Sequence, residues 1–319
     1  MTAVSCSRLT LTRNLSERLS YCRPRERRDP YTVPSRSAAA YGSRLCDGHR
    51  ASKTRVTALA GTTQVFARIA ILVLAALPAR ATEIPPADRR SDYEFLGPQT
   101  RAMQDDDTAN PGMLGVLDGE ALWNRRAGAA NKSCADCHND ARLSMKGVAA
   151  RYPAYSPALG RPIDLEARIN QCRTEQQNAT PLKFESKELL GLTAYLALQS
   201  RGMPIDVAAD ERTQPFIAAG REIFNRRQGQ INMSCAQCHD DNWGRKLAGA
   251  PVPQGHPNGY PVYRLEWQSL GSLQRRLRNC MSGMRAEPYA FGAPENVDLE
   301  LYLMSRARGL KMEAPAVRP

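Results

Sequence analysis

The sequence predicts a mainly α-helical protein made of two tandem halves that arose by internal duplication, with long loops between the helices of each half. Two observations carry this. The stretch GEALWNRRAGAANKSCADCH, from Gly119 to His138, aligns without a gap with GREIFNRRQGQINMSCAQCH, from Gly220 to His239, at an offset of 101 residues. Gly119 matches Gly220, Trp123 matches Phe224, and both copies carry an Asn-Arg-Arg triplet. Further on, YLALQSRG from Tyr195 matches YLMSRARG from Tyr302 at an offset of 107. Each half therefore reads as helix, motif, long loop, closing helix. A chain of 319 residues has room for two such units. We place them at 82–205 and 206–319, with RGMPIDVAADERTQP as the linker.

Residues 1–81 stand apart as a leader. They hold 14 Lys+Arg against 4 Asp+Glu, whereas the remainder holds 30 against 28. Ten of the twelve formal net positive charges thus belong to the leader. The folded part has no charge excess that would suggest nucleic acid as a partner. Within the leader, ARIAILVLAALPARA (Ala67 to Ala81) has Arg68, then an apolar run from Ile69 to Leu77, then Ala79-Arg80-Ala81. That order is a secretory signal peptide cleaved after Ala81. The run is too short to span a bilayer, so no integral membrane segment is expected after cleavage. The Arg- and Ser-rich stretch before it has no period and contains Cys6, Cys22 and Cys46. It reads as the product of a start assigned too early, with Val65 or Val56 as candidate first codons. The mature chain is then expected to begin at Thr82, in the oxidising periplasm.

Four of the six remaining cysteines sit in two motifs, Cys134-x-x-Cys137-His138 and Cys235-x-x-Cys238-His239. C-x-x-C-H is the attachment signature of haem c. Two thiols reach the two vinyl groups on one porphyrin edge, and the adjacent imidazole ligates the iron. A single C-x-x-C could be a redox disulfide or half a zinc site. Two copies, each followed at once by histidine, point to two covalently bound haem c groups.

The remaining segments fit around these motifs. A Gly and an aromatic on the first helix, with a Leu/Tyr stripe on the last, resemble the crossing terminal helices of class I cytochromes c. The fold expected is two class I cytochrome c-like domains. GVAARYPAYSPALGRPIDL and GAPVPQGHPNGYPVYRLEW are rich in Gly, Pro and Tyr, which suits loops wrapping a haem better than regular elements. The porphyrin supplies apolar volume that a half of about 100 residues lacks.

Cys172 and Cys280 are left over, one per half, 34 residues after His138 and 41 after His239. Both are candidate distal iron ligands opposite His138 and His239. The alternative is a Cys172–Cys280 disulfide with Met203, Met281 or Met284 as ligands. Arg275, Arg276 and Arg278 precede Cys280 and Arg285 follows it, whereas Cys172 has Arg168 and Arg173. Such a cationic cluster lowers a thiol's pKa and attracts a small dianion. Helical spacing puts Arg276 one turn from Cys280 and Arg275 on another, solvated face.

Two C-x-x-C-H motifs, one lone cysteine per half and the segment RRLRNCMSGMRAEPYAFGAPE resemble the SoxA family over nearly all of residues 90–312. These are dihaem subunits of the SoxAX cytochromes of bacterial thiosulfate oxidation. The resemblance implies an L-cysteine S-thiosulfotransferase that oxidatively conjugates thiosulfate to a cysteine of the carrier SoxYZ and passes two electrons to haem. It implies SoxX, a separate monohaem cytochrome, as the other subunit. The family's active cysteine, a persulfide axial to the second haem, falls on Cys280, and its substrate-binding arginine falls on Arg276. The axial cysteine of the first haem falls on Cys172. The C-terminal half is thereby implied to be the catalytic one. Two other functions fit parts of the pattern. A thiosulfate dehydrogenase forms tetrathionate without a carrier, but typically mixes Cys and Met ligation. A plain dihaem electron carrier needs no reactive thiol and no arginine cluster.

Overall fold

The computed structural model describes residues 83–319, which fall in a single compact unit. The leader, its apolar run and the Ala79–Ala81 site lie outside the described residues. Among those described, no helix is long and apolar enough to cross a membrane.

The chain is mainly helical, and its two halves repeat one plan. After α1 (Pro98–Asp105), the first half runs through α2 (Gly112–Asn124), α3 (Ala135–His138), α4 (Ala141–Ser144), the hairpin β1 (Ala154–Ser156) and β2 (Arg161–Ile163), α5 (Leu165–Gln176) and α6 (Lys187–Leu198). The second half has α7 (Gln214–Asn225), α8 (Cys235–His239), the small hairpin β3 (Lys246–Leu247) and β4 (Ala250–Pro251), the hairpin β5 (Val262–Arg264) and β6 (Ser269–Gly271), α9 (Leu273–Gly283) and α10 (Pro294–Arg306). A last strand, β7 (Ala316–Arg318), lies parallel to β5 with Val262 opposite Ala316. The segments expected to be irregular thus hold short hairpins, Ala154 facing Ile163 in one half and Val262 facing Gly271 in the other.

Two glycines set the helix crossings. A Cβ on Gly119 would lie 2.1 Å from the Gly191 carbonyl oxygen, and one on Gly220 would lie 2.1 Å from the Asp298 carbonyl oxygen. The backbones of α2 and α6, and of α7 and α10, therefore touch at these points, which only glycine permits. The same crossing brings Trp123 to Tyr195 (6.1 Å between rings) and Phe224 to Tyr302 (5.4 Å). A second matched pair, Gly128 and Gly229, turns the chain at positive φ of 67° and 73°. There the motif loop binds the end of the helix that carries the lone cysteine, through Ala130 N–H to Gln177 O and Gln230 N–H to Arg285 O.

The two halves share a core. Leu192, Tyr195 and Leu196 of α6 join Leu301 and Met304 of α10, with Met312 and Ala314 beyond them, in one buried cluster. The linker is part of it rather than a free tether. Ile205 and Val207 are buried, and backbone bonds join Gly202 to Met312 and Ile205 to Leu310. Alternating apolar residues in an otherwise polar stretch explain this.

Gly220→Ala and Gly119→Ala should each lower the thermal unfolding midpoint of the holoprotein, at a cost of roughly 1–3 kcal/mol from overpacking. Gly283→Ala, whose Cβ meets open space, should be neutral or slightly stabilising. Equal effects at all three sites would contradict the crossing argument.

Candidate functional site

Each C-x-x-C-H motif begins on a reciprocal cap. The Gln237 N–H donates to the Ser234 hydroxyl while the Gln237 side chain accepts from the Ser234 N–H, at 3.3 and 3.0 Å. Ser133 and Asp136 repeat this at 3.0 and 2.9 Å. The serine and the residue three on thus start the short helix that presents the histidine. Trp123 lies 5.8 Å from the His138 ring and Phe224 lies 6.5 Å from the His239 ring. The His239 ring is held further. Its Nδ1 lies 2.8 Å from the Pro253 carbonyl oxygen, which leaves Nε2 free for a metal. Among the described residues His138 makes no side-chain hydrogen bond. The difference comes from length. The offset between halves grows from 101 at the motifs to 108 at the lone cysteines, so the second half has seven extra residues in the stretch that carries β3, β4 and Pro253.

The lone cysteines complete two clefts. The first is lined by Trp123, Cys134, Cys137, His138 and Cys172, and encloses about 1000 Å³ of empty space counted to its mouth. The second is lined by Phe224, Cys235, His239, Arg276 and Cys280, about 1220 Å³ on the same measure. Cys172 and Cys280 line separate clefts, and all six described cysteines are free thiols. Both cysteine helices are capped alike, α5 by Asp164 on the Ala167 N–H (2.6 Å) and α9 by Ser272 on the Arg275 N–H (3.1 Å).

Both clefts fit haem c. Each brings together an attachment thiol, an imidazole and a further thiol. Each also has buried donors without partners, Arg173 Nε in the first and Gln228 Nε2 and Arg264 Nε in the second. Anionic propionates can satisfy such donors.

Electrostatics separates the two sites. Burial pushes the Cys172 thiol up, and Arg168 offsets this only in part. Burial acts on Cys280 in the same direction, but the approach of His239, then Arg276 and Arg264, holds it below the ordinary thiol range. The attachment thiol Cys235 is pushed up by burial to about 12. His256, also in the second cleft, is pushed down to about 3 by burial and then by Arg306 and Arg89, and so stays neutral.

The arginines differ from the sequence expectation. Arg276 lines the cleft one turn from Cys280, as its spacing implies. Arg275 does not face solvent alone. It stacks on Trp267 at 4.2 Å and lies 3.8 Å from Glu185. Arg278 lies over the Phe291 ring at 4.7 Å and donates to the Tyr289 carbonyl, and Arg285 is exposed. The aromatic residues around α9 therefore take up two cations of the expected cluster. Their place in the cleft is taken by Arg264 of β5 and Arg318 of β7. Arg318 is committed to Glu313 (2.8 Å) and Gln104 (2.5 Å). Arg276 makes no side-chain hydrogen bond or ion pair among the described residues. Asp92 and Tyr260 also line this cleft. Sequence reasoning missed Arg264, Asp92 and Tyr260, which lie far from any motif. The only signal was the Tyr-Pro pair found once in each half, at Tyr152 and Tyr260.

The model of the SoxA/TsdA cytochrome c domain matches this chain twice, over residues 118–205 and 219–312. The L-cysteine S-thiosulfotransferase subunit SoxA of Pseudaminobacter salicylatoxidans is 41% identical over 243 residues, 75% of this chain and 85% of that one. Its counterpart from Rhodovulum sulfidophilum is 39% identical, over 72% of this chain and 80% of that one. The crystal structure of SoxXA from P. pantotrophus superposes with a TM-score of 0.70 at 35% identity, covering 72% of this chain and 87% of that one. A cytochrome c domain implies haem c as the bound group.

The second cleft is framed by a buried ion pair. Arg306 of α10 donates to Asp240, the residue after His239, at 2.7 Å, with side chains 1% and 3% exposed. The same guanidinium lies 4.5 Å from the Phe224 ring. Asp240→Ala leaves that cation uncompensated and should cost roughly 3–5 kcal/mol in chemical denaturation. A loss below about 1 kcal/mol, the range of exposed pairs, would refute this role.

Proposed function

The chain belongs to the SoxA family, and from that premise we propose that it is the L-cysteine S-thiosulfotransferase subunit of a periplasmic dihaem complex, paired with a SoxX-type monohaem cytochrome. In this reading residues 82–205 are an N-terminal cytochrome domain and residues 206–319 the catalytic one. Cys134 and Cys137 hold one haem c covalently, and Cys235 and Cys238 the other. His138 with Cys172, and His239 with Cys280, would be the protein ligands of the two irons. Signal cleavage after Ala81 delivers the chain to the periplasm.

The reaction joins thiosulfate to a cysteine of the SoxYZ carrier. The carrier's S–H bond breaks, an S–S bond forms to the outer sulfur of thiosulfate, and two electrons and one proton leave. Bound haem c supplies one-electron acceptors beside the reacting sulfur. The protein's own part is to bind the dianion and present the sulfur. The observation that carries the reading is Arg276, a half-buried guanidinium with no hydrogen-bond or ion-pair partner among the described residues, one turn from Cys280. Its planar fork of donors suits an oxyanion group. Arg264 adds charge from β5, and the same two cations favour the ionised form of Cys280. A persulfide on Cys280 would carry the reacting sulfur outward, into the cleft that Arg276 also lines. In the first cleft Arg168 is hydrogen-bonded to Gln171 and Arg173 to the Thr180 carbonyl, so neither offers a free fork to an anion, and this reading gives that cleft electron transfer alone.

Thiosulfate oxidation assayed with and without the SoxYZ carrier tests the assignment. Activity should require the carrier, whereas carrier-independent formation of tetrathionate would make the protein a thiosulfate dehydrogenase. Cys280→Ala should abolish turnover. Arg276→Ala should lower kcat/KM roughly 10- to 100-fold with little change in the haem spectrum, because a charge-assisted contact is worth about 1.5–3 kcal/mol. Arg276→Lys should recover part of that loss, and Arg264→Gln should weaken turnover in the same direction. Cys172→Ala should alter the first haem's spectrum and cost less. If it proved as inactive as Cys280→Ala while fully haem-loaded, a single catalytic half would be wrong.

Haem content is a separate check. The mature chain should exceed its polypeptide mass by two haem groups, and electron paramagnetic resonance should show low-spin, thiolate-ligated ferric iron at both. A single haem, or signals of His/Met type, would contradict the ligand assignment.

A further inference from the structure

Between the two clefts lies a third, smaller cavity of about 560 Å³ on the same measure. Tyr152 and Leu165 line both it and the first cleft, while Pro257, Tyr260 and Leu273 line both it and the second. One layer of side chains therefore separates it from either cleft. Three carboxylates face it, Asp164 and Glu166 at the start of α5 and Glu300 from α10. Asp164 and Glu166 are only 2% and 7% exposed, and Glu166 Oε2 is buried without a hydrogen-bond partner.

Among the described residues the neighbours supply no countercharge. Asp164 accepts from the Ala167 N–H (2.6 Å) and the Gln274 side chain (2.8 Å). Gln274 comes from α9, and its oxygen accepts from Gly292 N–H at 2.7 Å. Glu185, on the loop before α6, is engaged with Arg275 (3.8 Å) and the Ser272 N–H (3.2 Å). Asp298 of α10 pairs with Arg161 of β2 at 3.3 Å. Tyr152, Tyr260 and Thr193 of α6 complete the polar lining. Burial, then the mutual repulsion of Asp164, Glu300 and Glu185, holds Glu166 well above the usual carboxylate range. Burial and Asp164 do the same to Glu300. Three charges cannot coexist here without a cation, so at least one of the three carboxyls is protonated, while Asp164, which accepts two N–H bonds that favour its ionised form, keeps a place for a further proton.

We propose that Asp164, Glu166 and Glu300 form a proton-binding site shared by the two clefts, which takes up a proton from solvent when an electron enters either cleft. The inference rests on haem occupying both clefts, as in the function proposed above. An electron gained there removes one positive charge near the cluster, and a carboxylate that then binds a proton restores neutrality. One electron in is matched by one proton in, and both leave together on reoxidation. The cavity thereby gives the proton released at the carrier thiol a counterpart inside the protein.

Redox titration of the holoprotein's haem absorbance across neutral pH tests this, independently of turnover. In the wild type, midpoint potentials should fall as pH rises. Glu166→Gln, nearly isosteric and breaking no hydrogen bond, should remove most of that slope, as should Glu300→Gln. Glu188→Gln, an exposed carboxylate on α6, should leave it intact. Reduced-minus-oxidised infrared spectra should show a protonated carboxyl band that is lost in Glu166→Gln. Potentials that do not vary with pH, or a slope unchanged in both cluster variants, would overturn the inference and leave the carrier-dependent activity standing. A normal pH slope in a protein without carrier-dependent turnover would instead refute the proposed function alone.

Discussion

The rest of the molecule depends on backbone contact between helices. At Gly119 against Gly191, and at Gly220 against Asp298, helices approach until a single methyl group no longer fits. That distance fixes the crossing, and the crossing fixes where Trp123 and Phe224 stand relative to the histidines of the two motifs. A few residues on, Gly128 and Gly229 tie each motif loop to the end of a cysteine-bearing helix. The thiol and the imidazole of each pair thus line one cleft because of backbone packing, before any iron is considered.

Duplication supplied the plan and small departures from it supplied the difference. Seven extra residues in the second half bring the Pro253 carbonyl to His239 Nδ1 and extend the wall of the second cleft. Parallel pairing of β7 with β5 brings Arg318 beside Arg264. Among the described residues the hairpin of the first half has no equivalent third strand, and burial leaves the Cys172 thiol raised. The same frame therefore builds two similar clefts and gives one of them a thiol with a cation beside it that is unpaired among the described residues. Divergence of this kind is inexpensive, because it changes loops while the glycine crossings stay as they were.

The halves also depend on each other. Leu301 and Met304 of the second half share a core with Leu192 and Leu196 of the first, and Asp164 of one is hydrogen-bonded to Gln274 of the other. The carboxylates beside that bond occupy ground that belongs to neither half alone. Burial there raises their proton affinity, and the seam places them within one side-chain layer of both clefts.

What the sequence by itself determined is the chemistry written in contiguous residues. The C-x-x-C-H spacing, the duplication and the helical turn between Arg276 and Cys280 are local relations, and local geometry is enough to read them. The mainly helical tandem fold and its family followed from the same features. What only the tertiary structure decided is which charges meet. Arg275 and Arg278 adjoin Cys280 in the chain yet turn to Trp267 and Phe291, while Arg264 reaches the cleft from a separate strand. Asp164, Glu166 and Glu300 face one cavity although more than half the described chain separates the first from the last. Periodicity records which side of a helix is apolar, but the rotation of that helix against its neighbours is set by packing, and packing is non-local.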